Sequence, residues 1–219
     1  LPAKPIGFIA NELLDAIPVR QFVKTTDGWL ERMVHLDAGG AFEFALGTAK
    51  LDPTLLPPGG ETEPEGQIFE YDPARRAVIE TLALHLRLHG GFALFIDYGH
   101  AACGFGDTLQ AVGRHQPVGI FDSPGEVDLT THVDFQSLAR CAEASGIHAS
   151  EIMEQGSFLV ETGIRQRAAR LQTSSPPDKA VHINTALERL VGANEMGSLF
   201  KVLVLANRKV DMYPLKFWH

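Results

Sequence analysis

Acidic and amide side chains follow two short apolar stretches of the sequence, where they could bind a ligand. Asn11 and Glu12 come directly after an apolar run that begins at Ile6, and Asp97 follows the apolar stretch 92–96. Both stretches have the composition of buried strands, and ligands of open parallel sheets bind outside the carboxyl ends of the strands. The sequence therefore predicts a site that contains Glu12 and Asp97. The alternative is structural, with these residues capping the turns that follow the strands.

Two groups of histidine and aspartate side chains have residue types that can bind metals. Asp128, His132 and Asp134 could form such a triad, but Asp134 also precedes an amphipathic stretch and is a good helix N-cap. We favour the cap for Asp134, which leaves Asp128 and His132 to line a cleft. His85 and His89 are spaced as i and i+4 without an obvious third ligand, so we expect exposed or capping roles for them. No metal site is predicted.

The predicted elements arrange these groups on an α/β fold. A helix between residues 73 and 89 connects the stretch 67–71 to the stretch 92–96, and such a strand–helix–strand pattern indicates an α/β sheet. The apolar residues of this helix share one face, and the charged residues Arg75, Arg76, Glu80 and Arg87 fall mostly elsewhere. Residues 13–16 are helix formers, so one helical turn is expected before Pro18 ends it.

Two further segments have recognisable patterns. Residues 19–46 alternate in polarity around a Thr-Asp-Gly turn, which predicts a small antiparallel β meander. Residues 100–126 are rich in glycine and predict a long loop at the active edge of the sheet. We expect both segments to belong to a single partial domain that spans residues 1–219.

Composition and charge exclude several classes of function. The 219 residues carry a net charge of −8, which argues against a general binder of nucleic acids or anionic membranes and is compatible with a basic protein substrate. No apolar run approaches the length of a transmembrane helix, so membrane insertion is not expected. Cys103 and Cys141 are the only cysteines, and they indicate idle thiols in a reducing compartment.

Seven ordered blocks of the sequence resemble the successive motifs of the MidA family. They are IANELLDAIPVRQF, GWLERMV, FIDYG, TLQAVGRHQP, PGEVDLTTHVDF, QGSFLVETGI and MGSLFKVL, and together they extend from residue 6 to residue 205. The MidA proteins are S-adenosylmethionine-dependent methyltransferases that include mitochondrial complex I assembly factors and their bacterial relatives. The order of seven blocks makes the resemblance more specific than any one of them.

The resemblance implies an α/β class I methyltransferase fold, which is Rossmann-like. Such a fold has a mostly parallel sheet with helices on both faces and one antiparallel strand near the end. The implied cofactor is S-adenosylmethionine, and the implied acceptor is a protein side chain, with arginine of a respiratory complex I subunit as the mitochondrial target. The implied location is the mitochondrial matrix in a eukaryote and the cytoplasm in a bacterium.

The resemblance also places Asn11 and Glu12 beside the cofactor and the substrate. Asp15 lies in the same block and is a third candidate for cofactor binding. Carboxylates accept the paired N–H groups of a guanidinium, so acidic residues are suited to orient an arginine acceptor. The candidate catalytic residues are Glu12, Asp97, Asp128 and His132.

One feature of the family is missing from this sequence. In the family a glycine-rich cofactor loop and an acidic ribose-binding strand end precede the NELLDA block, and here only residues 1–5 precede it. We therefore expect the C-terminal part of a longer protein, or a degenerate member that binds the cofactor poorly. Uncovered sheet edges and apolar helix faces would favour homo-oligomers. The alternative function is a non-catalytic protein-binding or assembly module derived from a methyltransferase.

Overall fold

The computed structural model describes residues 1–114 and 116–208, and the chain divides into two compact units. Unit 1 contains Leu1–Leu13, Val78–Ala102 and the described part of Val133–His219, and unit 2 contains Leu14–Ala77 and Cys103–His132. The division falls within one helix, and each unit has its own sheets.

Unit 1 contains a mixed sheet. Its strands are β1 (Ile6–Asn11), β6 (Gly91–His100), β10 (Val133–Asp134), β11 (His148–Ala149), β12 (Met153–Glu154) and β13 (Phe200–Ala206). The strands β1 and β10 run parallel to β6, whereas β13 runs antiparallel to β6 and pairs with the short β11 and β12. The α/β fold with an antiparallel strand near the end is therefore confirmed.

Within the described residues, six α-helices accompany this sheet. They are α1 (Pro73–His89), α2 (Phe135–Ala144), α3 (Gln155–Glu161), α4 (Ile164–Thr173), α5 (Pro177–Val191) and α6 (Met196–Leu199). Phe158 of α3 packs on Val202 and Val204 of β13, so burial of apolar surface fixes α3 on the sheet. None of the described helices has the length and apolar character needed to cross a bilayer.

Unit 2 is built from antiparallel strands. They are β2 (Arg20–Thr25), β3 (Gly28–Leu36), β4 (Phe42–Lys50), β5 (Ile68–Tyr71), β7 (Gln110–Gly113), β8 (Gln116–Val118) and β9 (Asp128–Thr130), with a 3₁₀ turn at Pro53–Leu55. One sheet has the order β4-β3-β2-β5 and the other has the order β8-β7-β9. The predicted meander is confirmed, and Phe22, Trp29, Leu51 and Phe69 form its apolar core.

Three expectations about local structure were wrong. The strand before α1 is β5, but β5 pairs with β2 in unit 2 because Phe69 is buried in the core of that unit. Residues 13–16 form a turn closed by the Ile17 N–H and the Leu14 carbonyl, since too few residues precede Pro18 to complete a helix. The loop 100–126 contains β7 and β8, whose pairing satisfies its backbone groups.

Candidate functional site

The chain turns sharply at the end of β1. Asn11 is the last residue of this strand, and Glu12 follows with a φ of +50°, in the left-handed region that non-glycine residues rarely adopt. The Glu12 N–H still donates to the Ile96 carbonyl at 3.0 Å, and the Asn11 side-chain amide donates to Glu12 Oε1 at 3.1 Å. Both side chains are exposed. Residues held in such conformations cluster at functional sites, so this turn is a candidate binding position.

Asp97 lies one residue beyond the part of β6 that pairs with β1. The last pair of that ladder joins Asn11 to Ile96, so Glu12 and Asp97 follow a matched pair on adjacent strands. Asp97 is 1% exposed, and its Oδ1 accepts a hydrogen bond from the Tyr98 N–H at 3.0 Å. Buried carboxylates require such partners because burial removes their hydration. The structure therefore brings Asn11, Glu12 and Asp97 together in unit 1.

The position of Asp97 within its strand differs from the expectation. The sequence predicted a strand that ends at Ile96, whereas β6 continues to His100. The reason is that β13 pairs with Asp97 and Tyr98 and that β10 pairs with Gly99 and His100, which extends the strand beyond Ile96. A Cβ at position 99 would collide with the backbone of Val133, so glycine permits this close approach. Asp97 therefore lies within an ordered strand and not in a loop.

Asp15 lies in unit 2, in a segment that a buried arginine holds in place. Arg75 is 1% exposed and donates hydrogen bonds to the carbonyls of Leu14 at 2.7 Å and Asp15 at 3.1 Å. It also donates to Thr131 Oγ1 at 2.6 Å and to the carbonyls of Thr131 and His132 at 3.1 and 2.8 Å. The Thr131 N–H in turn donates to the Asp15 carbonyl at 3.1 Å. Arg75 therefore ties together the two segments that contain Asp15 and His132.

The sequence did not predict the role of Arg75. Arg75 was grouped with charged residues that fall mostly outside the apolar face of α1, where side chains are normally exposed to solvent. The guanidinium is instead buried because it donates hydrogen bonds to the carbonyls of Leu14, Asp15 and His132, which lie outside the strands. One local signal marks Arg75: it precedes Ile79 by four residues and so continues the buried stripe of Ile79, Leu82 and Leu86 on α1.

A second polar network connects His132 to the meander. The His132 N–H donates to Thr108 Oγ1 at 2.9 Å, and the Thr108 N–H and hydroxyl both donate to the Glu70 carboxylate. Gln21 Nε2 bridges Glu70 at 2.8 Å and Asp107 at 2.9 Å. These contacts join the segment 107–132 to β2 and β5 within unit 2.

Unit 2 contains a cleft of about 290 Å³. Its lining is mostly apolar: residues 15–21, Glu31, Arg32, Val34, Phe44, Leu109 and residues 129–131. Arg20 donates two hydrogen bonds of 2.7 Å to the Glu31 carboxylate at its edge. This bond lowers the pKa of Glu31 and raises the pKa of Arg20.

Asp128 and His132 flank the segment that lines this cleft. Asp128 is exposed at the start of β9, where it pairs with Val112 of β7. His132 is half-buried and is held through its backbone by Thr108 and Arg75. The residues between them line the cleft, whereas Asp128 and His132 are not part of its lining.

The structure shows the contacts of the histidine and aspartate residues that were considered as metal ligands. Asp134 accepts a hydrogen bond from the Ser137 N–H at 2.9 Å, which confirms it as the N-cap of α2. His85 was expected to be exposed or to cap the helix, but it is buried with Nε2 3.2 Å from the Lys4 carbonyl. Its ring lies 4.8 Å from the ring of His89. Within residues 1–114 and 116–208, no three histidine, cysteine or acidic side chains cluster as a metal site.

Comparison with known proteins gives consistent matches. Residues 2–153 match the family described as "Putative S-adenosyl-L-methionine-dependent methyltransferase". The chain is 31% identical over 222 residues to "Protein arginine methyltransferase NDUFAF7, mitochondrial" of Xenopus tropicalis, which covers 96% of this chain and 50% of that protein. It is 29% identical over 211 residues to the protein of the same name from Danio rerio, with coverages of 91% and 47%. The chain thus spans about half the length of these relatives.

A solved structure shares the fold. The crystal structure of a Burkholderia thailandensis protein bound to S-adenosyl-homocysteine superimposes with a TM-score of 0.78 at 31% sequence identity. The superposition covers 94% of this chain and 55% of that one. Similarity in both sequence and structure therefore extends over almost the whole of this chain.

Proposed function

Because the chain belongs to the family of S-adenosyl-L-methionine-dependent methyltransferases, we propose that its protein transfers a methyl group to a protein side chain, with arginine as the acceptor residue. The relatives named as protein arginine methyltransferases support this choice of acceptor. A subunit of respiratory complex I is the acceptor protein that the MidA resemblance suggests.

The single observation that carries the proposal is the left-handed turn at Glu12 beside the buried Asp97. The turn presents the Asn11 amide and the Glu12 carboxylate to solvent at the carboxyl end of β1. A side-chain amide and a carboxylate fit the hydroxyl, amino and carboxylate groups of S-adenosylmethionine. Asn11 and Glu12 of unit 1 would hold this cofactor. Asp15 is a separate candidate for cofactor binding within unit 2.

The protein groups mainly supply orientation and charge. S-Adenosylmethionine, when bound, supplies an electrophilic methyl group. The exposed Glu12 would accept N–H groups of the acceptor guanidinium, so that one of its nitrogens is held for reaction, and the buried carboxylate of Asp97 would add negative charge next to this turn. Burial of Asp97 strengthens such an interaction because water does not screen it. Asp128 and His132 are the candidate acceptor-side residues of unit 2.

The test separates cofactor binding from methyl transfer. We expect Glu12→Gln to weaken S-adenosylmethionine binding about tenfold in calorimetry, because a charged hydrogen-bond acceptor is lost. We expect Asp97→Asn to lower the rate of methyl transfer from labelled S-adenosylmethionine to arginine-containing peptides at least about tenfold, with cofactor affinity retained. Glu161→Gln changes an exposed glutamate at the end of α3 and is the matched control.

The outcomes distinguish the enzyme from the alternative function. Thermal unfolding must first show that the Asp97→Asn variant is folded. Unchanged cofactor affinity in Glu12→Gln and an unchanged rate of methyl transfer in Asp97→Asn would contradict the assigned roles. Failure of the unaltered protein to bind the cofactor would contradict methyl transfer and would favour a non-catalytic assembly module.

A further inference from the structure

One face of the β3–β4 hairpin in unit 2 is apolar and exposed. Cross-strand pairing places Val34 opposite Phe44 and Leu36 opposite Phe42, with Leu46 on the same face. The exposed fractions are 50% for Val34, 57% for Leu36, 46% for Phe42 and 53% for Leu46. These five residues are called the hairpin face below. Exposed apolar patches of this kind mark interaction sites.

The hairpin face is an ordered surface. The ring of Phe121 packs on Phe44 with a centroid distance of 4.8 Å and on Phe42 at 6.1 Å. The guanidinium of Arg32 lies 3.5 Å from the centre of the Phe44 ring and is bound to Asp107 at 2.6 Å. These contacts hold the aromatic side chains in place, so a partner would bind a preformed surface at low entropic cost.

The hairpin face continues into the cleft of unit 2. Val34 and Phe44 belong to the hairpin face and also line the cleft, as does the neighbouring Arg32. A partner chain that covers the face can therefore place a side chain in the cleft. The two features form one continuous surface within unit 2.

Charge indicates what kind of partner binds there. Unit 2 contains fifteen aspartate and glutamate residues against seven lysine and arginine residues, which is a net charge of −8. Unit 1 contains twelve of each and is neutral. Asp37 and Asp122 are exposed next to Leu36 and Phe121, and the pKa of Asp37 is lowered by the backbone N–H groups of Ala41 and Gly39. This surface attracts a basic partner, and it disfavours a symmetric contact with a second acidic copy.

We infer that the hairpin face docks the acceptor protein through a segment that combines arginine with apolar side chains. Leu36, Phe42 and Leu46 bind the apolar side chains, and the surrounding carboxylates select the basic ones. The inference rests on the proposed function, because it concerns the acceptor of the methyl group. It adds a recognition surface distinct from the turn at Glu12.

The test uses the affinity of a labelled peptide of alternating leucine and arginine for the protein. We expect Leu36→Ser and Phe42→Ser each to weaken binding at least about fivefold in fluorescence anisotropy, because each removes apolar contact area. Met33→Ser is the matched control, since Met33 is 48% exposed on the opposite face of the same hairpin. Binding should also weaken markedly between about 50 mM and about 500 mM salt.

Two control peptides test whether binding requires both the arginine and the apolar side chains. Peptides of alternating leucine and glutamate, or serine and arginine, should bind at least about fivefold more weakly than the leucine–arginine peptide. Equal binding of the three peptides, or an equal effect of Met33→Ser, would overturn the inference. Loss of self-association in sedimentation analysis with unchanged peptide binding would instead identify an interface between copies. Binding by this chain but not by the complete gene product would identify an internal contact, which would also overturn it.

This test is independent of the proposed chemistry. Peptide affinity does not require the cofactor, whereas methyl incorporation does. Specific peptide binding without methyl incorporation would contradict the proposed enzyme and leave the docking surface in place. Methyl incorporation that is insensitive to Leu36→Ser and Phe42→Ser would contradict the docking surface and leave the enzyme in place.

Discussion

A single guanidinium, that of Arg75, connects two segments that carry candidate site residues. Its donors reach the carbonyls of Leu14, Asp15, Thr131 and His132. A planar guanidinium with five donors can satisfy several carbonyls at once, and a lysine ammonium cannot reproduce this geometry. Asp15 and His132 are therefore positioned by a residue that need not touch cofactor or substrate.

Replacement of Arg75 tests this positioning role. We expect Arg75→Lys to lower the free energy of unfolding by about 2–4 kcal/mol, because buried carbonyls lose their donors. The measurement is urea unfolding followed by circular dichroism. Arg87→Lys is the matched control, since Arg87 lies exposed on the same helix and should change stability by less than about 1 kcal/mol.

Similar stabilities for the Arg75→Lys and Arg87→Lys variants would mean that the five hydrogen bonds contribute little to folding. A positioning role would then require a different residue in unit 2.

The meander and the turn after β1 are the elements that position the candidate groups. In unit 2, β2 and β3 form one wall of the cleft and bring Arg20 and Glu31 together at its edge. In unit 1, the parallel pairing of β1 with β6 sets Glu12 beside Asp97. Parallel pairing aligns the carboxyl ends of strands, so residues distant in sequence share one edge.

The Arg20–Glu31 bond should make a small, pH-dependent contribution to stability. The folded pKa of Glu31 lies below its unfolded value, so the stabilisation is present at neutral pH and is lost as the pH falls through the folded pKa. We expect Glu31→Gln to cost only about 0.5–1 kcal/mol at pH 7, because Arg20 is half-exposed and water screens the pair. Urea unfolding at neutral pH and near pH 2 measures the difference.

The pH dependence is the critical readout. The difference between the Glu31→Gln variant and the unaltered protein should disappear in acid, where the carboxylate is protonated in both folded and unfolded states. A difference that persists unchanged in acid would mean that Glu31 acts by packing and not by its charge.

Charge and exposed apolar surface are divided unequally over the whole molecule. Unit 2 carries the entire net charge of −8, and unit 1 is neutral. Among the described strands, β1 pairs only with β6, and Ile9 on β1 is 66% exposed. A neutral unit with an open strand edge is prone to self-association, whereas an acidic unit repels its own copies.

We therefore expect the isolated chain to self-associate through unit 1. Ile9→Lys should shift sedimentation velocity profiles toward the monomer, because a charge on an edge strand blocks pairing. Val181→Lys is the control, since Val181 is also 66% exposed but lies on α5. An unaltered chain that sediments as a monomer would contradict this expectation, and an equal effect of both variants would remove β1 as the contact.

The sequence by itself determined the features that depend on local pattern. Apolar runs predicted the strands β1 and β6, although β1 is mostly exposed or half-buried and not buried as expected. Alternating polarity and an Asp-Gly turn predicted the meander, and Asp134 was recognised as a helix cap. The ordered motifs indicated the methyltransferase family, which the comparisons confirm. The strands, the meander and the helix cap follow from short-range chemistry, because side-chain periodicity and turn residues act within a few positions.

Tertiary structure alone decided which of these elements meet. It assigned β5 to the sheet of unit 2, buried Arg75 and His85, and extended β6 beyond Asp97 through pairing with β10. It also brought Val34 and Phe44 together with Phe121 on the hairpin face. Each of these facts depends on partners far away in the sequence, whose hydrogen bonds and buried surface outweigh local preference.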